Sequence, residues 1–240
     1  MMPFAELGRL VRAAEQWILP GACLSCHDPV GPGDALVCAH CQASWRQLPH
    51  PQCVRCGQPV TGVASGCRIC AGWPEELGRA RSAVWFDDAA RPVVHQLKYG
   101  GWWRVAEPMA RLIARLDPCR EAGLLVPVPL AAARARVRGY NQAERLGRAL
   151  ASLTGLPLRP DLLLRKRETR TQTALAPEAR RANVAGAFHA VGVPAGARLI
   201  LIDDVFTTGA TLVEAAATLV EAGAERVELV TFARAVPPVW

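Results

Sequence analysis

The sequence predicts an α/β fold, a parallel-sheet core preceded by a small cysteine-rich module, and three observations carry that expectation. Residues 199–202 (LILI) form a continuous apolar run, the pattern of a strand buried on both faces of a parallel sheet. Asp203 and Asp204 follow at its carboxyl end, then a small-residue turn of Thr207, Thr208, Gly209, Ala210 and Thr211, then an apolar-periodic segment to Gly223. Far upstream, eight of the nine cysteines fall between residues 23 and 70 in four C-x-x-C pairs.

In open α/β sheets ligands bind outside the carboxyl ends of the strands, so the two acids stand where a ligand would lie. Gly209 permits close backbone approach, and the threonines add hydroxyl donors. The following helix points free N–H groups and its positive dipole end back at the loop, which makes a phosphate cradle. Carboxylates accept hydrogen bonds from hydroxyls, so Asp203 and Asp204 suit a vicinal diol such as a ribose. The local reading is a sugar phosphate. The bland alternative is a strand–turn–helix whose acids cap the helix; it accounts for Asp204 but not for two adjacent carboxylates, three threonines and a glycine.

The 240 residues allow one large domain, or a domain plus a small module. No apolar run approaches the roughly 20 residues of a membrane span, so an integral membrane protein is not expected. Residues 1–16 alternate apolar positions with Glu6, Arg9, Arg12 and Glu15, which predicts an amphipathic helix over 1–20 rather than a signal peptide. Such a helix either docks on the protein or lies on a membrane surface. The net charge of +7 is uneven: residues 134–181 hold twelve Arg or Lys against four Asp or Glu, while the first 75 balance at five each. This excess fits an anionic substrate, a nucleic-acid strand, or both. Arg outnumbers Lys 26 to 2, which either favours bidentate phosphate contacts or reflects codon usage. The chain lacks a P-loop lysine motif, which argues against an autonomous DNA-translocating ATPase.

The cysteine pairs are Cys23/Cys26, Cys38/Cys41, Cys53/Cys56 and Cys67/Cys70, with eleven, eleven and ten residues between successive pairs. A C-x-x-C knuckle aims two thiolates at one metal, and two knuckles complete a tetrahedral site, so four imply two structural Zn²⁺ ions. Sequential pairing of knuckles is simplest, and alternate pairing stays open. His27 and His40 stand beside ligand positions, as substitutes for a cysteine or as surface residues. A disulfide framework is disfavoured by the missing secretion signal, which makes a reducing, cytoplasmic setting the expectation. Cys119 reads as a buried small hydrophobe. Gly57, Pro59, Gly62 and Gly66 mark hairpin turns, giving a ribbon module over 21–75 with a boundary near 72–78 and a second domain over 78–240.

Within that second domain a strand is expected over 81–87 and a helix over 90–99, C-capped by Gly100 and Gly101. Lys98, just before that glycine pair, is either aimed at a phosphate or solvated. A helix over 102–116 follows, then a strand over 124–129 that Pro127 and Pro129 stiffen. Arg134, Arg136 and Arg138 read as a loop, residues 142–153 as a helix, and 162–165 and 186–191 as strands. The polar, basic stretch between those strands (166–183) is a candidate lid over the site, or a surface loop.

Residues 200–211 (ILIDDVFTTGAT) resemble the phosphoribosyl pyrophosphate motif of type I phosphoribosyltransferases. In that family the loop after the first core strand binds pyrophosphate, and the VPVP turn resembles it by position. Three clusters together, VPVPL…RGYNQAE, RETRTQTAL…RRANVAGAF and LIDDVFTTGATL, resemble the ComF family, which includes the GntX proteins. The cysteine-rich N-terminus looks like that family's double zinc ribbon. The resemblance implies a type I phosphoribosyltransferase-like parallel-sheet core and a role in natural competence and the use of external DNA. It implies a site made of Asp203 and Asp204 with Val205, Phe206, Thr207, Thr208, Gly209, Ala210 and Thr211 for the ribose phosphate. Pro127, Val128, Arg138, Asn141 and Gln142 would lie on the pyrophosphate side, and Thr169, Gln172, Arg181 and Asn183 on the lid. Implied partners are phosphoribosyl pyrophosphate or a similar ribose phosphate brought with Mg²⁺, and single-stranded DNA with DNA-uptake proteins. Two functions follow: pentosyl transfer to an undefined acceptor, or a non-catalytic single-stranded nucleic-acid-binding competence factor that keeps the fold.

Overall fold

The structure, a computed structural model, describes residues 21–31, 36–60, 67–120, 123–166 and 184–235. The expected N-terminal helix, Gly62, Gly66 and the lid residues Thr169, Gln172, Arg181 and Asn183 lie outside the described residues.

In chain order, β1 (Gly21–Ala22) and β2 (Pro29–Val30) pair antiparallel, and a short helix α1 (Ala39–Ala43) follows. Next come β3 (Leu77–Trp85), α2 (Arg91–Tyr99), α3 (Ala106–Ile113) and β4 (Leu124–Pro127). After them run α4 (Ala132–Arg138), α5 (Gln142–Thr154), β5 (Leu163–Arg165), β6 (Phe188–Ala190), β7 (Arg198–Phe206), α6 (Ala210–Glu221) and β8 (Arg226–Arg234). Four strands form one sheet in the order β3-β8-β7-β4, every neighbouring pair parallel, while β5 and β6 form a separate antiparallel pair.

The LILI run is the middle of that sheet. Ile200 and Ile202 pack in a core with residues of α2, α3 and α5, whereas Leu199 and Leu201 pack in the other core with residues of α6 and the β5–β6 pair. All four are at most 2% exposed, which is why the run shows no alternation of polar and apolar residues. The parallel-sheet α/β class expected from the sequence is the class observed.

Two elements differ from expectation. Residues 132–138 are a helix, α4, ended by Gly139 at φ 78°, rather than a loop; it buries no residue, so the sequence carries no apolar stripe there. Strand β8 had no clear sequence signal, because Arg226 and Glu228 interrupt its apolar pattern. In the fold Glu228 is 4% exposed and pairs with Arg226 at 2.6 Å and Arg79 at 3.8 Å, which makes a charged residue tolerable inside the sheet.

The cysteines gather sequentially. Cys23, Cys26, Cys38 and Cys41 form one tetrad and Cys53, Cys56, Cys67 and Cys70 a second, with the sulfurs of each within 4.8 Å of one another. Separations of 3.9 Å (Cys26–Cys38), 3.7 Å (Cys53–Cys70) and 3.5 Å (Cys56–Cys67) are far too long for disulfides and suit thiolates around one tetrahedral ion. Backbone N–H groups of Ser25 and Cys38 donate to the Cys23 sulfur at 3.4 and 3.3 Å. Against the opposing effect of burial, such donors hold that thiol down to about 6, ready to ligate a metal. His27 and His40 belong to neither tetrad.

The ribbons are not a separate bead. Trp45 meets Phe232 of β8 edge-on at 5.1 Å, and Cys23, Val37, Cys41 and Trp45 join the core that contains Val84, Val230 and Phe232. The second ribbon is tied by the Ala80 N–H, which donates to the Arg55 carbonyl at 2.7 Å. Cys119, isolated in the chain, is buried, and burial pushes its thiol up to about 12.

Candidate functional site at the carboxyl ends of the strands

Strand β7 runs on through both acids to Phe206, so successive side chains leave it in opposite directions. Asp203 stays partly exposed and Asp204 is 3% exposed. The two therefore present unlike faces to one cleft of about 890 Å³, lined also by Lys98, Tyr99, Gly100, Gly101, Val128, Arg134, Arg138, Gln142 and Arg165.

Asp204 has the most elaborate surroundings. Its Oδ2 forms an ion pair with Lys98 Nζ at the last turn of α2, and its Oδ1 accepts from Gln142 Nε2 at 3.5 Å. Gln142 in turn accepts at Oε1 from Arg138 Nη1, so a cation on α4 reaches Asp204 through one amide. Tyr140 braces the arrangement by donating its hydroxyl to the Leu97 carbonyl at 2.6 Å, next to Lys98. Burial opposes charge on Asp204, but Lys98 overrides it and holds the carboxyl below the usual range; Lys98 is likewise held above the usual lysine value despite its own burial. Asp203 goes the other way. Burial and the neighbouring Asp204 charge push it well above the usual range, so Asp203 is the first of the pair to take up a proton as pH falls.

A sign follows for stability. A carboxyl whose folded value is raised contributes most below the unfolded value near 3.9 and loses that contribution as pH climbs through the raised value. Asp203→Asn mimics the neutral acid at every pH. In thermal melts without ligand its stability advantage over wild type is expected to grow as pH rises and to vanish below about pH 4.

The loop after β7 is shaped by Phe206 and Gly209. Gly209 adopts φ 79° as the residue before α6, and a Cβ there would lie 2.6 Å from Phe206 Cζ. Its carbonyl accepts the first helical bond from the Val213 N–H at 2.8 Å, and Thr208 Oγ1 accepts from the Ala210 N–H at 3.4 Å. Gly209→Ala is expected to cost about 2 kcal/mol, from the left-handed backbone and the clash together. Its check is a urea titration beside Ala210→Gly, which meets no such clash.

Among the expected site residues, Asp203, Asp204, Val205, Thr207, Gly209, Ala210, Thr211, Val128, Arg138 and Gln142 line the cleft. Phe206 lies beneath the loop, 1% exposed. Pro127 is the last residue of β4 and is buried, and Thr208 caps the turn. Asn141 is a helix cap: its Oδ1 accepts from the Ala143 N–H at 3.1 Å and its Nδ2 donates to the Val128 carbonyl at 3.0 Å, which pins the VPVP turn. Lys98 and Arg165 are among the cleft residues that stood outside the expected set. Lys98 had one signal, a rare lysine before a Gly-Gly turn. Arg165, whose Nη1 donates to the Pro129 carbonyl at 3.4 Å, had none.

Residues 132–236 match the phosphoribosyl transferase domain, and residues 14–72 match the double zinc ribbon domain. "DNA utilization protein YhgH" of Escherichia coli K12 is 30% identical over 205 residues, 82% of this chain and 90% of that protein. "Competence protein F" of Haemophilus influenzae is 26% identical over 224 residues, 89% of this chain and 96% of that protein. "Competence protein ComFC" of Streptococcus pneumoniae is 28% identical over 182 residues, 75% of this chain and 79% of that protein. Among the described residues no helix is long and apolar enough to cross a membrane. A phosphoribosyltransferase-like sheet, a double zinc ribbon and relatives of nearly full length place the chain in the ComF family of competence and DNA-utilization proteins.

Proposed function

We propose that the cleft binds phosphoribosyl pyrophosphate or a closely related ribose phosphate, and that the protein is a phosphoribosyltransferase-type enzyme serving the use of external DNA. One observation carries this: the amide-rich start of α6, the Asp203–Asp204 pair and the cations Lys98, Arg134, Arg138 and Arg165 all open on a single cleft. The 5′-phosphate sits on the backbone N–H groups of residues 207–211, at the positive end of α6. The ribose hydroxyls lie at Asp203 and Asp204. Lys98 and Arg138 stabilise the negative charge that grows on pyrophosphate as its bond to ribose C1 breaks.

Asp203 and Asp204 are hard oxygen donors in the cleft and suit a Mg²⁺ ion that arrives with the substrate. When bound, Mg²⁺ supplies charge neutralisation to the pyrophosphate. Cys23, Cys26, Cys38 and Cys41 would hold one structural Zn²⁺, and Cys53, Cys56, Cys67 and Cys70 the other.

Isothermal titration of the zinc-loaded protein with phosphoribosyl pyrophosphate and Mg²⁺ tests the reading. Saturable heat is expected, with affinity falling about 100-fold in Asp203→Asn/Asp204→Asn. No heat from wild type, or equal heat from both proteins, contradicts it.

A second reading, binding of single-stranded nucleic acid, is favoured by exposed aromatic side chains that include the cleft residue Tyr99 and the nearby Trp102 and Trp103. Tyr99, Trp102 and Trp103 are 69%, 47% and 42% exposed. The Arg138 guanidinium lies 5.2 Å from the Tyr99 ring, and that of Arg145 lies 4.6 Å from the Trp103 ring. Stacking faces interleaved with cations suit a strand of any sequence. Oligonucleotide affinity is expected to fall steeply with salt and to lose that slope when Arg134, Arg136 and Arg138 become Glu; salt-independent binding contradicts it. The two readings coexist on one protein.

A further inference from the structure

We propose that Arg234 is a positioning residue through which metal in the second cysteine tetrad sets the shape of the phosphate loop. The inference rests on the reading of residues 207–211 as that loop.

Arg234 ends β8 and is 1% exposed, among the largest fully buried side chains of the described residues. It reaches in two directions. Toward the ribbon, Nη1 donates to the Cys56 carbonyl at 2.8 Å and Nε donates to Gln58 Oε1 at 3.0 Å, both groups held by the second tetrad's knuckle. Toward the cleft, its guanidinium lies 4.1 Å from the centre of the Phe206 ring. Phe206 is the floor against which Gly209 packs, and its carbonyl accepts from the Ala235 N–H at 2.8 Å, beside Arg234. Trp73, whose N–H donates to the Cys70 carbonyl at 3.2 Å, approaches the same ring at 6.3 Å. Two contacts therefore run from the second tetrad to one phenyl ring under the loop.

The charges suit this link. No carboxylate pairs with Arg234 among the described residues, and a lone buried cation is costly. Four thiolates around a divalent ion carry net negative charge, which gives Arg234 a counter-charge beside Cys56 while the tetrad is filled. Losing the ion frees the knuckle, and with it the carbonyl and amide that aim Arg234 at Phe206. Among the described residues the first tetrad makes no such link: its Cys23 and Cys41 pack with Val84 and Phe232, in the core that excludes Phe206 and α6. If metal and ligand act on the same loop, each also tightens the other's binding.

Amide hydrogen exchange of the full chain reads the loop directly, without any ligand, so its result stands apart from whether phosphoribosyl pyrophosphate binds in the titration above. Residues 206–211 report the loop, and residues 199–202 report the global fold. Emptying the second site with Cys53→Ser is expected to speed exchange over 206–211 about tenfold, with 199–202 unchanged. Arg234→Gln should do the same while retaining two equivalents of zinc by elemental analysis. Cys26→Ser, which disrupts the first tetrad, should leave 206–211 as in wild type. Wild-type exchange in Arg234→Gln, or equal loosening by the two cysteine variants, overturns the proposal. Should either Cys53→Ser or Arg234→Gln also lose protection at 199–202, chelation of the Cys26→Ser protein decides. Release of 206–211 ahead of 199–202 supports the link, and simultaneous release of both segments overturns it.

Discussion

Removing metal from both tetrads is expected to lower the cooperative melt of the whole chain, not merely to free its N-terminal ribbons. Structural zinc contributes about 10–16 kcal/mol per site in isolated zinc-binding peptides, while a whole domain is stable by only about 5–15 kcal/mol. The first ribbon cannot unfold alone, because Cys23, Val37, Cys41 and Trp45 belong to the core that holds Val84, Val230 and Phe232. Taking away Trp45 bares Phe232 in mid-sheet. Calorimetry before and after exhaustive chelation checks this. The chelated protein should show one transition, lowered by about 20 °C. A ribbon that lets go while the main transition stays put would show that the shared core contributes little.

The second large effect concerns Lys98 and Asp204. Lys98→Met leaves a 3%-exposed carboxylate without its cation, and Asp204→Leu leaves the ammonium without its ion-pair partner. Each is expected to cost about 3 kcal/mol, since removing one partner of a buried pair strands the other. The double replacement Lys98→Met/Asp204→Leu should recover most of that loss, because apolar groups of similar size satisfy the same space. Ligand binding should not return with it, as the site loses both a carboxylate and a cation. Urea titrations of the four proteins give the coupling energy, and titration with phosphoribosyl pyrophosphate and Mg²⁺ gives the separate functional loss. Stability and binding that recover together would mean the pair is only a structural bridge.

How much of this was legible in the chain depends on the range of the forces involved. Residues 199–211 declared themselves, since burial on both faces forces an uninterrupted apolar run and a tight loop forces glycine. The cysteines were equally plain, because tetrahedral coordination by knuckles leaves a fixed local spacing; the pairing of knuckles was not, because it depends on how the ribbons fold back. Strand β8 was hidden by Glu228, a carboxylate that is tolerable in the sheet only through Arg226 and Arg79. Helix α4 was hidden because nothing on it is buried. The ion pair of Lys98 with Asp204 and the contacts of Arg234 with Cys56 and Phe206 join residues remote in sequence, and no local pattern encodes such meetings. Asn141 and Gln142 show a subtler limit: resemblance set them near the ligand, while the geometry adds a helix cap and a relay from Arg138 to Asp204.

The most direct trial of the central claim is a crystal structure of the zinc-loaded protein soaked with phosphoribosyl pyrophosphate and Mg²⁺. The account expects the 5′-phosphate on the amides of residues 207–211, the ribose hydroxyls against Asp203 and Asp204, and the pyrophosphate facing Lys98 and Arg138. Density for the ligand elsewhere, or an empty cleft at saturating ligand with Lys98 still closed on Asp204, would contradict it.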